Sequence, residues 1–145
     1  MAFAVARQEG HARAGVAGRL AGVVVRGGVH DQGAALAGGV SGHAGLFASA
    51  NDLAIIYQML LNRGTYGGVE YFKNSTVDMF TSKQSNVSRR GLGFDRWDPD
   101  SSKHYPSDLA SPQTYGHTGY TGTCVWVDPS RGLVYVFLSN RTYPE

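Results

Sequence analysis

Residues 123–138, TCVWVDPSRGLVYVFL, are the stretch that decides the fold. Two runs rich in β-branched and aromatic residues, 123–127 and 133–138, flank an Asp-Pro-Ser-Arg-Gly sequence that favours a tight turn. This pattern predicts an antiparallel hairpin. Both strands are apolar on both faces, whereas a sheet with one face in water has polar residues at alternate positions. We therefore expect helices on both faces of the sheet.

Two helices are predicted upstream of the hairpin. The first has apolar residues at the spacing i, i+3, i+4, i+7 and i+8, namely Leu53, Ile56, Tyr57, Leu60 and Leu61. Ser49 or Asn51 can cap its start, and Gly64 ends it. The second helix begins at a cap formed by Asn74 or Ser75 and buries Val77, Met79 and Phe80. Two helices cannot cover both faces of a sheet, so the pattern indicates part of a larger fold.

Length and composition exclude several classes of protein. The chain has 145 residues, one cysteine, 20 glycines and a formal net charge of +2. A chain of this length can bury a core, and a single cysteine cannot form an internal disulfide. No apolar run approaches the ~20 residues that span a bilayer, so no membrane span is predicted. No secretory signal is evident at the start of the sequence.

Residues 1–26 differ in composition from the rest. They hold four arginines and one acidic residue among Ala, Gly and Val, and nearly all aromatic residues lie downstream. We predict a loosely ordered or partly helical lead-in over 1–26 and a folded part over 27–145. Spaced arginines without a lysine cluster or interleaved aromatic residues do not make a nucleic-acid surface, so no nucleic-acid partner is expected.

The sequence contains few arrangements of catalytic or metal-ligating residues. Its five histidines lack the i, i+4 spacing of zinc-binding helices, and it has no pair of cysteines, so no metal and no cofactor are expected. Residues 39–43, GVSGH, miss the nucleophile-elbow pattern because His43 stands where that pattern needs glycine, and a tight turn is the favoured interpretation. Cys124 lies in an apolar strand and is expected to be a buried, unreactive thiol.

The strongest candidate site is residues 114–123, TYGHTGYTGT, directly before the hairpin. Small or hydroxylated residues flank His117, with glycine at positions 116, 119 and 122. This arrangement lets a substrate approach the backbone closely at a strand edge. The alternative is that His117 is a strand histidine hydrogen-bonded for structure.

His-Thr-Gly on a strand, followed by TCVWVDP, a turn, LVYVFLSN and Arg141, resembles the third motif of the serine β-lactamases and penicillin-binding proteins. More narrowly, it is similar to the class C β-lactamase-related serine hydrolases, in which His can replace the Lys of Lys-Thr-Gly. Residues 38–68, GGVSGHAGLFASANDLAIIYQMLLNRGTYGG, and 89–94, RRGLGF, match the same family. The resemblance covers about residues 27–144.

The resemblance implies an α/β fold of the α+β type, an antiparallel sheet flanked by helices. The first strands, the serine-bearing helix and the final helix of that fold are expected to lie outside this chain, which makes 27–145 the C-terminal part of the domain. The family carries out acyl transfer through a serine in Ser-x-x-Lys, helped by Tyr-x-Asn. Neither motif occurs here, so no nucleophile or general base is assigned and the chain is expected to be inactive alone.

The resemblance also implies roles for four consecutive residues. His117 and Thr118 would contact the substrate's carboxylate or leaving group, and Gly119 would let the substrate lie flat against the strand. The backbone N–H of Tyr120 would be one oxyanion-hole donor. His30 and His43 also occur in the family pattern, and each is expected to be a buried, hydrogen-bonded histidine.

The expected partners are a small-molecule or peptide acyl substrate and the missing N-terminal half of the same domain. The substrate class stays open between a β-lactam, a D-amino peptide and an ester. Family members are often exported to the bacterial periplasm or cell envelope, which the present sequence does not decide. Two alternatives are a non-catalytic module that binds a ligand along residues 117–120 and a truncated gene product without a function of its own.

Overall fold

The computed structural model describes the backbone of residues 2–5, 16–20 and 23–142 and the side chains of residues 27–142. Helices and strands are mixed along this part of the chain, as the fold class predicts. The helices are α1 (Gln32–Leu36), α2 (Ala50–Leu61) and α3 (Asn74–Thr81). The strands are β1 (Ala2–Val5), β2 (Val16–Leu20), β3 (Val23–Arg26), β4 (Ala44–Ala48), β5 (Thr65–Tyr66), β6 (Val69–Glu70), β7 (Asp95–Arg96), β8 (Tyr115–Thr118), β9 (Cys124–Asp128) and β10 (Leu133–Phe137).

The largest sheet has the strand order β10-β9-β8-β7. The predicted hairpin is confirmed, because β9 and β10 are neighbours joined by a 3-10 turn, Pro129–Arg131, which ends at Gly132 with φ +58°. Strand β7 pairs antiparallel with β8 and aligns Asp95 with Gly116. Among the described smaller pairs, β2 with β3 and β5 with β6 are antiparallel, and β1 with β4 is parallel.

The chain divides into two compact units. The first comprises Met1–Leu53, Thr118–Cys124 and Val136–Glu145, and the second comprises Ala54–His117 and Val125–Tyr135. Buried apolar side chains in the first unit include Ala34, Ala44 and Leu53, and those in the second include Tyr57, Met59, Val77, Tyr115, Val125 and Val127.

The predicted lead-in over residues 1–26 lies partly outside the described residues, namely at 1, 6–15 and 21–22. Where its backbone is described, it forms strands β1, β2 and β3 rather than helix. The division into a lead-in and a folded part stays a prediction.

Helix α2 begins at a reciprocal cap between Ser49 and Asp52. The Ser49 Oγ accepts a hydrogen bond from the Asp52 N–H at 3.2 Å, and the Asp52 carboxylate accepts from the Ser49 N–H at 3.2 Å and from its hydroxyl at 2.7 Å. Of the two predicted caps, the structure therefore uses Ser49. At the other end, the Gly64 N–H donates to the Met59 carbonyl at 2.8 Å with a φ of +106°, which favours glycine.

The predicted apolar face of α2 is only partly correct. Leu53 and Tyr57 are buried as expected, whereas Ile56 is 47% exposed and Met59, which was not predicted, is buried. Burial raises the pKa of Tyr57 to about 12 because the ionised phenolate loses its solvation. The buried stripe follows the neighbours that pack against the helix, which sequence spacing does not specify.

The cap and most of the buried face predicted for α3 are wrong. The N-cap is Lys73, which makes no side-chain capping bond, and the helix begins at Asn74. Val77 and Thr81, four residues apart, are the buried positions, and Met79 and Phe80 are 49% and 42% exposed. A helix of eight residues packed on one side buries only one such stripe.

One face of β10 lies exposed. Leu133, Tyr135 and Phe137 alternate along this edge strand and are each about half exposed. The described part of the chain therefore does not supply the covering layer expected on this face. Cys124, expected to be buried, is half-buried. Within the described residues, no helix has the length and apolar content needed to cross a bilayer.

Candidate functional site

Residues 117–120 lie at the end of β8 and in the turn that follows it. His117 and Thr118 are the last two residues of the strand. The chain then turns through two backbone hydrogen bonds, from the Gly119 N–H to the Thr123 carbonyl at 2.7 Å and from the Gly122 N–H to the Gly119 carbonyl at 3.0 Å. His117 is half-buried, Thr118 is exposed and Tyr120 is 65% exposed. The strand end is thus open to a ligand.

In the second unit, His117 contacts a cation. The Arg90 Nη1 lies 3.3 Å from the His117 Nε2. Because a guanidinium only donates hydrogen bonds, the Nε2 can pair with it only as an acceptor, which requires the ring proton on Nδ1. His117 therefore lies beside a guanidinium.

Arg90 is anchored by a buried carboxylate, that of Asp95, which is 2% exposed. Arg89 binds the same carboxylate through two nitrogens at 2.8 and 3.0 Å, and the Tyr105 hydroxyl donates to it at 2.9 Å. Burial acts to raise the pKa of Asp95, but the hydrogen bonds from Arg89 and Tyr105 outweigh burial and hold it below its usual value. Asp95 thus stays charged, and its charge holds Arg90 beside the strand that carries His117.

In the first unit, Tyr120 is held by Arg141. The Arg141 Nε donates to the Tyr120 carbonyl at 2.6 Å, and the guanidinium lies 4.7 Å from the centroid of the Tyr120 ring. The backbone N–H of Arg141 donates to the Thr121 carbonyl at 2.9 Å. No acceptor for the Tyr120 N–H occurs among the described residues. The turn is therefore fixed through its carbonyl groups, while the N–H remains able to donate to a ligand.

His30 also contacts Tyr120. The two rings stack at a centroid distance of 5.7 Å and an interplanar angle of 15°. The expectation for His30 was a buried, hydrogen-bonded histidine. It is half-buried instead, and its Nδ1 is buried without a hydrogen-bond partner in the described part of the chain.

The glycines at positions 116 and 122 were expected to admit a substrate, but both lie against atoms of the protein. A Cβ on Gly116 would overlap the Val125 carbonyl oxygen and lie 2.7 Å from the Trp126 ring, so this glycine admits the neighbouring strand rather than a substrate. Gly122 has φ +93°, and a Cβ there would lie 2.6 Å from the Ser139 hydroxyl. Both glycines are required by contacts within the protein.

His43 is exposed rather than buried, and it belongs to a chain of hydrogen bonds. Its Nδ1 lies 2.8 Å from the Ser41 hydroxyl and its Nε2 lies 2.9 Å from an Asp31 carboxylate oxygen, which also caps α1 through the Ala34 N–H at 2.8 Å. The Ala34 N–H and His43 both lower the pKa of Asp31.

Asp31, His43 and Ser41 are bonded in the order of a serine-protease triad, but the two ring nitrogens are exchanged and the side chains of His43 and Asp31 are 60% and 42% exposed. The Asp31 carboxylate is also committed to capping α1. We interpret the cluster as a clamp between the start of α1 and the turn before β4, in keeping with the tight turn favoured for residues 39–43.

No group of three or more metal-ligating side chains occurs among the described residues. Sequence reasoning noted RRGLGF and Arg141 as motifs without assigning contacts to them. The structure joins Arg90 to His117 and Arg141 to Tyr120 across separations of 27 and 21 residues. Nothing in the sequence pattern specifies these pairings.

Comparisons with known proteins identify the family of the chain. The family described as Beta-lactamase matches residues 1–145. A putative D-alanyl-D-alanine carboxypeptidase of Salmonella typhi is 46% identical over 116 residues, and its counterpart in Escherichia coli K12 is 45% identical over the same length. These alignments cover 79% of this chain and 27% of each relative.

A solved structure, that of a novel penicillin-binding protein homolog from Caulobacter crescentus, is also similar. Its TM-score is 0.52 at 26% identity, over 64% of this chain and 26% of that chain. The chain belongs to the beta-lactamase family, a family of serine hydrolases. It spans about a quarter of the length of the relatives it matches.

Proposed function

We propose that this chain is the C-terminal part of an acyl-transferring serine hydrolase and supplies one wall of its active site. The observation that carries the proposal is the His-Thr-Gly sequence at the end of β8, followed by a Tyr120 N–H without an acceptor among the described residues. An N–H directed at the developing oxyanion is worth roughly 10²- to 10³-fold in rate when a nucleophile is aligned against it.

His117 and Thr118 are proposed to contact the carboxylate or the leaving group of the substrate, and Gly119 to let it lie along the strand. In a Lys-Thr-Gly motif the lysine carries a full charge, whereas an imidazole that accepts a hydrogen bond from arginine does not. Arg90, 3.3 Å from His117, supplies a permanent positive charge in its place. The pair would therefore place an imidazole and a guanidinium beside an anionic substrate group.

The proposed substrate is a small-molecule or peptide acyl compound, that is, a β-lactam, a D-amino peptide or an ester. The names of the relatives, putative D-alanyl-D-alanine carboxypeptidases, favour a peptide that contains D-alanine. The nucleophile and base are proposed to come from the N-terminal part of the same domain, because neither Ser-x-x-Lys nor Tyr-x-Asn occurs in these 145 residues. The 145-residue chain is accordingly proposed to be inactive alone.

The experiment compares the chain alone with the chain joined to a serine-bearing N-terminal part of a relative. With a chromogenic β-lactam and a p-nitrophenyl ester, the chain alone is expected to give no turnover and the joined protein to give turnover. His117→Ala in the joined protein should abolish most of that activity, whereas the control His104→Ala, in an exposed histidine paired with Asp108, should retain it.

Turnover by the 145-residue chain that is blocked by a serine-directed reagent would contradict the proposed inactivity. Equal activity of the His117→Ala and His104→Ala proteins would contradict the proposed site. Saturable ligand binding by the chain alone, lost in Gly119→Trp and without any turnover after joining, would instead favour the non-catalytic binding module.

A further inference from the structure

A cavity of about 610 Å³ lies within the second unit, beside the network around Asp95. Its charged lining is predominantly basic: five cations and one carboxylate face it, namely Lys83, Arg89, Arg90, Arg96, Lys103 and Asp98. A concave surface lined mainly by one sign of charge concentrates ligands of the opposite sign.

Two of these cations are already neutralised by carboxylates of the protein. Arg89 donates to Asp98 at 3.0 Å in addition to its bonds with Asp95. Lys103 lies 3.3 Å from Asp98 and 3.6 Å from Asp100. The carboxylates near the cavity are thus used by these two side chains, with a longer contact of 3.5 Å from Asp95 to Arg90.

Arg96 has no such compensation. It donates to the backbone carbonyls of Thr81 and Pro112, and no described carboxylate lies within ion-pair distance of it. Burial lowers the pKa of Arg96, which is the expected effect where a partly buried cation lacks a neighbouring anion. These bonds use two of the five N–H groups of the Arg96 guanidinium, which leaves three that can donate to a ligand.

Lys83 adds a second uncompensated charge. Its side chain is exposed, lines the same cavity and has no ion pair or hydrogen bond with the described residues. A guanidinium and an ammonium in the lining of one cavity suit the oxygens of a carboxylate or a phosphate, since charge-assisted hydrogen bonds to such oxygens are the strongest available to a protein. The half-buried Trp97 gives the cavity an aromatic surface as well.

We propose that this cavity is a binding site for the oxyanion group of a small molecule, a carboxylate or a phosphate, held by Arg96 and Lys83. The site differs from the acyl-transfer site proposed above in its principal ligand-binding residues, Arg96 and Lys83, although Arg90, which contacts His117, also lines the cavity. It predicts binding by the chain of 145 residues without any N-terminal part.

The test is a titration of the isotope-labelled chain, followed by amide NMR, with inorganic phosphate in one arm and acetate in the other at constant ionic strength. Saturable shifts confined to the segments that line the cavity, 83–103 and the neighbourhood of Pro112, are expected in at least one arm, and the stronger arm identifies the preferred oxyanion. Lys83→Gln should weaken that binding about tenfold, as the loss of one charge-assisted hydrogen bond predicts.

The matched control is Lys73→Gln, which removes the same charge from an exposed lysine outside the cavity. It should bind as the unmodified chain does. Arg96→Lys keeps a cation in the wall and should weaken binding without preventing folding, which thermal unfolding checks. The absence of saturable shifts in both arms, or equal weakening by Lys73→Gln and Lys83→Gln, would overturn the proposal.

Discussion

The Arg90 Nη1 lies 3.3 Å from the His117 Nε2, and because a guanidinium can only donate, a hydrogen bond between them requires Nε2 as the acceptor and the ring proton on Nδ1. Arg90 is itself attached to the buried Asp95 at 3.5 Å. The histidine of the His-Thr-Gly sequence is thereby joined to a guanidinium. This relationship leads to the first prediction.

Nitrogen NMR of the labelled chain near neutral pH should show His117 as the Nδ1-protonated tautomer. In Arg90→Ala the constraint on Nε2 disappears, so the Nε2-protonated tautomer should increase. Arg63→Ala, which removes an arginine paired with Asp78, should leave the His117 spectrum unchanged. An Nε2-protonated His117 in the unmodified chain would show that the contact with Arg90 is absent in solution.

Gly116→Ala should strongly destabilise the second unit. The new methyl group would overlap the Val125 carbonyl oxygen and crowd the Trp126 ring, and a backbone atom in a sheet cannot move away cheaply. We expect a loss of about 3 kcal/mol in the free energy of unfolding, measured with urea. Gly42→Ala, where nothing lies within 4 Å of the new atom, should change it by less than about 0.5 kcal/mol. Equal effects of the two substitutions would refute the packing argument.

The Asp128 carboxylate should make the free energy of unfolding decrease at acid pH. Burial acts to raise its pKa, but hydrogen bonds from Ser111, Ser130 and Arg131 outweigh burial and hold the pKa well below its usual value. A lowered pKa stabilises the folded state above the unfolded pKa of about 3.9, and this contribution is lost as the pH falls further.

Urea unfolding at a series of pH values should therefore show the free energy of unfolding falling from about pH 4 toward pH 2. Asp128→Asn should lower stability at neutral pH by about 3 kcal/mol and flatten this decrease at acid pH, because the buried Ser111 and the exposed Ser130 and Arg131 lose a charged acceptor. Asp108→Asn removes an exposed carboxylate paired with His104 and should leave the decrease in stability at acid pH unchanged. If the free energy of unfolding of Asp128→Asn still fell to the same extent between pH 4 and pH 2, the decrease would belong to other carboxylates.

Ser49→Ala should destabilise the start of α2 by about 1 kcal/mol, the usual cost of losing an N-cap. The substitution removes the hydroxyl that accepts from the Asp52 N–H and donates to the Asp52 carboxylate. Asn51→Ala lies inside the helix and tests the other cap that the sequence allowed. Thermal unfolding should show a lower midpoint for Ser49→Ala and an unchanged midpoint for Asn51→Ala. A larger decrease for Asn51→Ala would contradict the assignment of the cap to Ser49.

Local patterns in the sequence predicted the hairpin of β9 and β10 and the existence and end of α2. These elements depend on residues within a few positions of one another, such as the turn at Gly132 and the stop at Gly64. The α3 prediction failed at its cap and at Met79 and Phe80, because which side of a short helix is buried depends on what packs against it. The resemblance to the family rested on motif order and is confirmed by the match over residues 1–145.

The sequence by itself determined the family, the hairpin and the position of the His-Thr-Gly motif, since each follows from residue types at fixed short spacing. Only the tertiary structure decided that Arg90 contacts His117, that Arg141 holds the turn at Tyr120, and that Gly116 faces the neighbouring strand. These contacts join residues far apart in the chain. A hydrogen bond needs its two atoms within about 3.5 Å, and sequence spacing does not set that distance once the chain turns between them.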